Sequence, residues 1–160
     1  MAYITTPGFA GVDLTEVSSG AVVPIGTEVQ ASDGNTWKYV KVKNTAESGE
    51  AHIIDENGNC SVYMSTSNVG AIPSIIAYTQ HAITDEYYSW VAVKGINFLC
   101  QGNHAAGDTK VFSSSSNATR LDDDAGSDIL VQGMRPNAAG AATTDISGSS
   151  AGYSEVNAQD

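Results

Sequence analysis

Gly148-Ser149-Ser150-Ala151-Gly152 matches the G-x-S-x-G turn that presents a nucleophilic serine, with Ser150 at its centre. That chemistry requires a buried strand before the serine and a helix after it, and the surrounding Ala, Gly, Ser and Thr residues supply neither. His52, His81 and His104 stand apart in sequence and form no H-x-x-x-H pair, so zinc is not expected. Asp122-Asp123-Asp124, with Asp128 nearby, offers the hard oxygen donors that calcium takes, but without the twelfth-position Glu of an EF-hand. A solvated turn between flanking strands is the expectation for those aspartates. Asn59-Cys60-Ser61 and Asn117-Ala118-Thr119 fit the glycosylation sequon, which carries weight only in a secreted chain. Cys60 and Cys100 are too few for a disulfide scaffold and read as small buried hydrophobes. No phosphate-binding glycine loop occurs. The expectation is a protein that is no enzyme, with no catalytic residue, metal or cofactor.

The elements around these residues are short apolar or aromatic runs broken by turn residues. Ile25–Gln30 and Thr36–Val42 flank a turn at Ala31–Asn35 that contains Asp33-Gly34, which predicts a hairpin. Within it Trp37 and Tyr39 share one strand face while Val40 and Val42 share the other, so both faces are expected to be covered. Ala51–Asp55 and Ser61–Met64 flank Glu56-Asn57-Gly58-Asn59, a second hairpin signal. Ile75–Thr79, Ser89–Val93, Ile96–Gln101, Lys110–Phe112 and Ile129–Met134 are further strand candidates. Ala82–Tyr88 reads as a loop with room for one helical turn, and Gly102–Gly107 as a glycine-rich bend. No helical periodicity is sustained anywhere. The expected fold is all-β: a single compact antiparallel barrel or sandwich of about eight short strands.

Three parts are expected: an N-terminal arm over 1–24, a β-rich domain over 25–136 and a low-complexity C-terminal arm over 137–160. The N-terminal arm is broken by Pro7, Gly8, Gly11, Gly20 and Pro24, yet carries apolar anchors. The C-terminal arm has only Ile146, Tyr153 and Val156 as large apolar side chains, too few to offset the entropy of ordering it alone. Tyr3, Ile4, Phe9, Ile146, Tyr153 and Val156 are therefore the candidate contacts with a neighbouring subunit or a larger lattice, by strand addition to a sheet edge.

Charge narrows the partners. Seven Lys and Arg against 18 Asp and Glu give a net charge of −11, which argues against direct nucleic-acid binding and against an anionic membrane surface. No apolar run approaches the ~18–20 residues of a membrane span. The opening MAYITTPGFAGVD lacks a basic region followed by an apolar core, so synthesis in a cytoplasm is the expectation. Charged residues are only 16% of the chain, and the small polar side chains that replace them lose little rotamer entropy on burial. Such a surface suits repeated protein–protein contact.

Gly26-Thr27 followed by Asp33-Gly34-x-x-Trp37-x-Tyr39-Val40 resembles an opening hairpin of small head proteins of tailed bacteriophages. Ala82-Ile83, then Tyr87-Tyr88, Trp90-Val91-x-Val93 and Gly95, resembles their central strand, with Ser89 where relatives often have Gly. Ala105-Ala106-Gly107-Asp108 leading into Thr119-x-Leu121-Asp122, then Ile129 through Gly133, is similar to their C-terminal portion. These are capsid decoration, or cement, proteins, and the resemblance covers roughly residues 25–135. It implies a homo-oligomer, often a trimer, seated on the capsid exterior of the virion where major capsid protein subunits meet, bracing the shell. A head- or tail-fibre adhesin is the second reading. Exposed Trp37, Tyr87, Tyr88 or Trp90 would favour it by stacking on host-surface glycans.

Overall fold

A computed structural model describes residues 11–32, 34–63, 75–95, 98–103, 111–113, 121–122 and 130–131. Ten short strands and no helix occur among them: β1 Glu28–Gln30, β2 Thr36–Val42, β3 Ala51–Ile54, β4 Asn59–Tyr63, β5 Ile75–Tyr78, β6 Tyr88–Lys94, β7 Gly102–Asn103, β8 Val111–Ser113, β9 Leu121–Asp122 and β10 Leu130–Val131. The all-β expectation holds, with ten strands rather than about eight. Phe98–Gln101, expected as a strand, is irregular, while Gly102–Asn103, expected in a bend, forms β7. The Ala82–Tyr88 loop contains no helical turn; a tight turn closed by Tyr87 N–H on Thr84 O fills it.

β2, β4, β3, β5 and β6 close in that order into a five-stranded barrel, because β6 pairs back onto β2. The closure corrects the antiparallel expectation. A ring of alternating strand directions needs an even number of strands, so a ring of five must contain a parallel joint. That joint is β2–β4, where Lys41 faces Asn59 and Val42 faces Cys60. The barrel's other pairings are antiparallel. Their lengths are unequal: β2–β6 runs from Thr36 to Lys41 and β3–β5 from Ala51 to Ile54, whereas β5–β6 is registered only at Tyr78 and Ala92.

β1 is the extra strand. It pairs antiparallel with the start of β2, Val29 opposite Trp37, as the Asp33-Gly34 turn predicts. Since β6 occupies one edge of β2, β1 and β4 must share the other, β1 beside Thr36–Lys38 and β4 beside Lys41–Val42. Between them the approach to β1 meets the β3–β4 turn. A Cβ on Gly58 would lie 2.4 Å from Ile25 Cγ2, so only glycine fits where these two segments cross.

Period-two alternation gives the barrel wall two apolar faces. One cluster holds Trp37 and Tyr39 of β2, Ala51 and Ile53 of β3, Ile76 and Tyr78 of β5, and Trp90 and Ala92 of β6, joined by Leu14, Phe98, Cys100 and Leu121. Tyr39 packs on Trp90 at 5.1 Å between ring centroids, and Tyr78 on Phe98 at 4.8 Å. The second holds Val40, Val42, Ile54, Cys60, Ala77, Val91 and Val93, with Ala46 and Ile83 from the loops. Both faces of the hairpin are thus covered, as expected, and both cysteines are buried and unbridged.

A four-stranded sheet, β10-β8-β9-β7, follows, with β7 and β9 parallel. Leu121 of β9 is buried in the first cluster and its N–H donates to Gln101 O at 3.1 Å, which fixes this sheet to the barrel. Asp122 lies in β9 rather than in the expected turn.

Candidate functional site

Gly11–Pro24 lies against the barrel of its own chain. Leu14 is 2% exposed within the first cluster, and Ser18 exchanges main-chain hydrogen bonds with Tyr88 of β6 at 3.0 and 2.8 Å. Val12, Val17 and Val23 pack against the two clusters. This strap is the described part of the expected N-terminal arm. Tyr3, Ile4, Phe9, Ile146, Tyr153 and Val156 lie outside the described residues, as do Ser150, His104, Asn117, Asp123, Asp124 and Asp128.

Beneath the strap the fold assembles a serine and a histidine. Ser89, on β6, is fully buried and donates its hydroxyl proton to Glu16 O of the strap at 2.7 Å. His81, in the loop after β5, places Nε2 2.8 Å from Ser89 Oγ. Because the serine's one proton is committed to Glu16, the imidazole must be the donor in the second bond, so Nε2 carries hydrogen. Nδ1 then presents a lone pair that is buried and meets no hydrogen-bond partner among the described residues. Burial holds the His81 pKa below its ordinary value, opposed by the charge of Asp13. The Asp13 carboxyl is itself held low by hydrogen bonds from the Thr15 hydroxyl and N–H.

The residue types Ser, His and Asp invite comparison with a hydrolytic triad, but the roles are reversed. A nucleophilic serine gives its proton to histidine; here histidine donates to serine. Ser89 has no exposed surface for a substrate to reach. The arrangement ties the strap to β6. Sequence reading missed it because Ser89 sits inside an aromatic and aliphatic run. A lone small polar residue on an otherwise apolar strand was the available signal.

A second polar group sits at the end of β2. Glu86 adopts a left-handed backbone, φ 65°, and its carboxylate pairs with Lys41 and, at 3.1 Å, with Lys43. The two ammonium groups hold the Glu86 carboxyl below its usual range, and Glu86 in turn raises Lys41. Lys41 Nζ lies 5.7 Å from the Tyr88 ring centroid, and Tyr88 stacks on Tyr39. Tyr87 beside it is 37% exposed.

A shallow cleft lies where β1 and β4 meet, lined by Ile25, Lys38, Ile54, the Asp55–Gly58 turn and Ile75. Ile25 and Ile75 are among the few large apolar side chains exposed in the described residues. Asp55 is occupied with its own turn, accepting from Asn57 N–H, Asn59 N–H and the Asn59 side-chain amide. No cluster of three metal-ligating side chains occurs among the described residues.

Of the aromatic residues that a glycan site would need, Trp37 and Trp90 are buried at 6% and 1% exposure, which leaves Tyr87 and the partly covered Tyr88. No protein family, curated protein or solved structure matches this chain.

Proposed function

We propose that this chain is a virion structural protein, a capsid decoration (cement) protein that binds the outer surface of a phage head between major capsid protein subunits and stabilises the shell. The observation that supports the reading best is the strap. Gly11–Pro24 is fixed along the barrel by Leu14 and the Ser18–Tyr88 bridge, so the strap begins at a set point on a closed wall. A strap so fixed, with Tyr3, Ile4 and Phe9 shortly before it in sequence, is suited to clipping a neighbouring subunit. Two of the motifs that carry the resemblance are neighbours in space: Trp37, Tyr39 and Val40 lie on β2 and Trp90, Val91 and Val93 on β6, which pair side by side. The partners are the major capsid protein and further copies of the chain, as a trimer, assembled in the host cytoplasm.

The test is to mix undecorated heads with the full chain, with a variant lacking residues 1–10 and with one lacking 137–160, and to count bound copies. The cut falls before Gly11 because Leu14 belongs to the core. Saturable, high-copy binding by the full chain that weakens with either truncation is expected. Failure of the full chain to bind heads, or full occupancy at unchanged affinity without both segments, overturns the reading.

The adhesin alternative draws on one observation, the exposure of Tyr87 beside the Lys41–Glu86–Lys43 cluster. Cell binding that is lost in Tyr87→Ala, with no binding to heads, would establish it instead.

A further inference from the structure

Ser89 and His81 form a chain of hydrogen bonds whose last acceptor, Glu16 O, belongs to the strap. The strap's other polar ties to the barrel are the paired main-chain bonds between Ser18 and Tyr88, two residues further on, the Ser18 hydroxyl against Tyr39 Oη at 3.3 Å, and Val22 N–H donating to Tyr39 Oη at 3.2 Å. Leu14 lies two residues before Glu16 and fills a place in the apolar cluster. The histidine thus secures the part of the strap between Leu14 and Ser18.

We propose that His81 is an acid-sensitive latch that holds Gly11–Pro24 against the barrel when neutral and releases it when protonated. The geometry permits one favourable state. With Nε2 donating to Ser89, a second proton must enter at Nδ1, which is buried without an acceptor among the described residues, and an unpaired buried N–H on a cation is strongly disfavoured. The imidazolium gains by turning out toward water. The groups that face it set the direction: from the strap, the Asp13 carboxylate acts on it and Glu16 contributes its carbonyl; from β6 comes only the neutral Ser89 hydroxyl. Asp13, on the strap, favours the cation in the latched form, but burial disfavours it more. Release uncovers the site of Leu14 and frees the whole N-terminal segment for contact elsewhere.

The sign follows from linkage. The latched form binds the proton less readily than the released form, whose histidine has its ordinary value of 6.5. Attachment is complete above that value and declines as pH falls below it.

The experiment is amide hydrogen exchange at Ser18 and Tyr88 in the full chain between pH 7.5 and 5, corrected for intrinsic rates. Protection is expected to fall about tenfold for each pH unit separating the latched and released pKa values. In His81→Gln, whose amide donates as Nε2 does and never titrates, protection is expected to stay level. A flat profile in the parent, or an equal fall in His81→Gln, overturns the proposal. Ring-nitrogen NMR of the parent gives an independent reading that needs no variant. A hydrogen on Nδ1 rather than Nε2, or titration at the ordinary value, likewise overturns it.

Discussion

Gln80 and Leu99 are joined through both ends of one amide: Leu99 N–H donates to Gln80 Oε1 at 2.7 Å, and Gln80 Nε2 donates to Leu99 O at 3.0 Å. A side chain here does what a neighbouring strand does elsewhere, which is why Phe98–Gln101 keeps extended, strand-like apolar burial without belonging to a ladder. Gln80→Ala leaves both main-chain groups of Leu99 without these partners and is expected to destabilise the fold by about 1–3 kcal/mol. Gln80→Glu keeps the acceptor and loses the donor, so its loss should grow as the carboxyl ionises. Chemical denaturation at pH 4 and pH 7 checks both.

Trp90 is 1% exposed and packs on Tyr39. Trp90→Ala is expected to lose about 3–5 kcal/mol, the scale of a large buried aromatic. Tyr87→Ala, on the surface, should stay within about 0.5 kcal/mol of the parent. Thermal melts of the two variants side by side provide the comparison.

Gly95 combines a φ of 138° with a crowded site, since a Cβ there would stand 1.9 Å from Asn35 Oδ1 and 2.8 Å from Asn35 Cα. Gly34 has φ 84° and open space around it. Gly34→Ala is expected to lose about 1–2 kcal/mol from left-handed backbone alone. Gly95→Ala adds a collision with main chain that cannot move aside without disturbing the β1–β2 turn, and should lose clearly more. Urea midpoints for both variants test the ranking.

Cys60 and Cys100 are fully buried in different apolar clusters. Burial pushes the Cys60 thiol up to about 12 and raises Cys100 as well. Neither should react with a thiol reagent at pH 8 in the folded protein, and both should react once denaturant is added. Rapid labelling of either cysteine without denaturant would contradict the burial.

Strand positions were legible where turn chemistry and alternation agreed. Asp33-Gly34 and Asn57-Gly58 located both hairpins, and the odd–even split of Trp37 and Tyr39 from Val40 and Val42 foretold two covered faces. The parallel β2–β4 joint was not legible, because closure depends on how many strands meet, and no local pattern encodes that. Phe98–Gln101 misled for a related reason: its apolar residues are those of a strand, but its partner is a side chain distant in sequence. The strap was half legible. Apolar anchors among breakers were evident, but Leu14 was not among those chosen, and only its burial in the first cluster, with Ser89 beneath Glu16, shows that the strap grips its own domain.

The unequal ladders divide the barrel into two leaves, β1-β2-β6 and β4-β3-β5, each well hydrogen-bonded within itself. They are joined at the short β2–β4 and β5–β6 contacts, and both apolar clusters draw side chains from both leaves. The leaves are therefore held to one another more by excluded water than by backbone pairing. Hydrophobic attraction weakens on cooling, so the shell of this barrel should loosen along those two lines in the cold while each leaf stays intact. Slow-exchanging amides would then fall into two blocks rather than one.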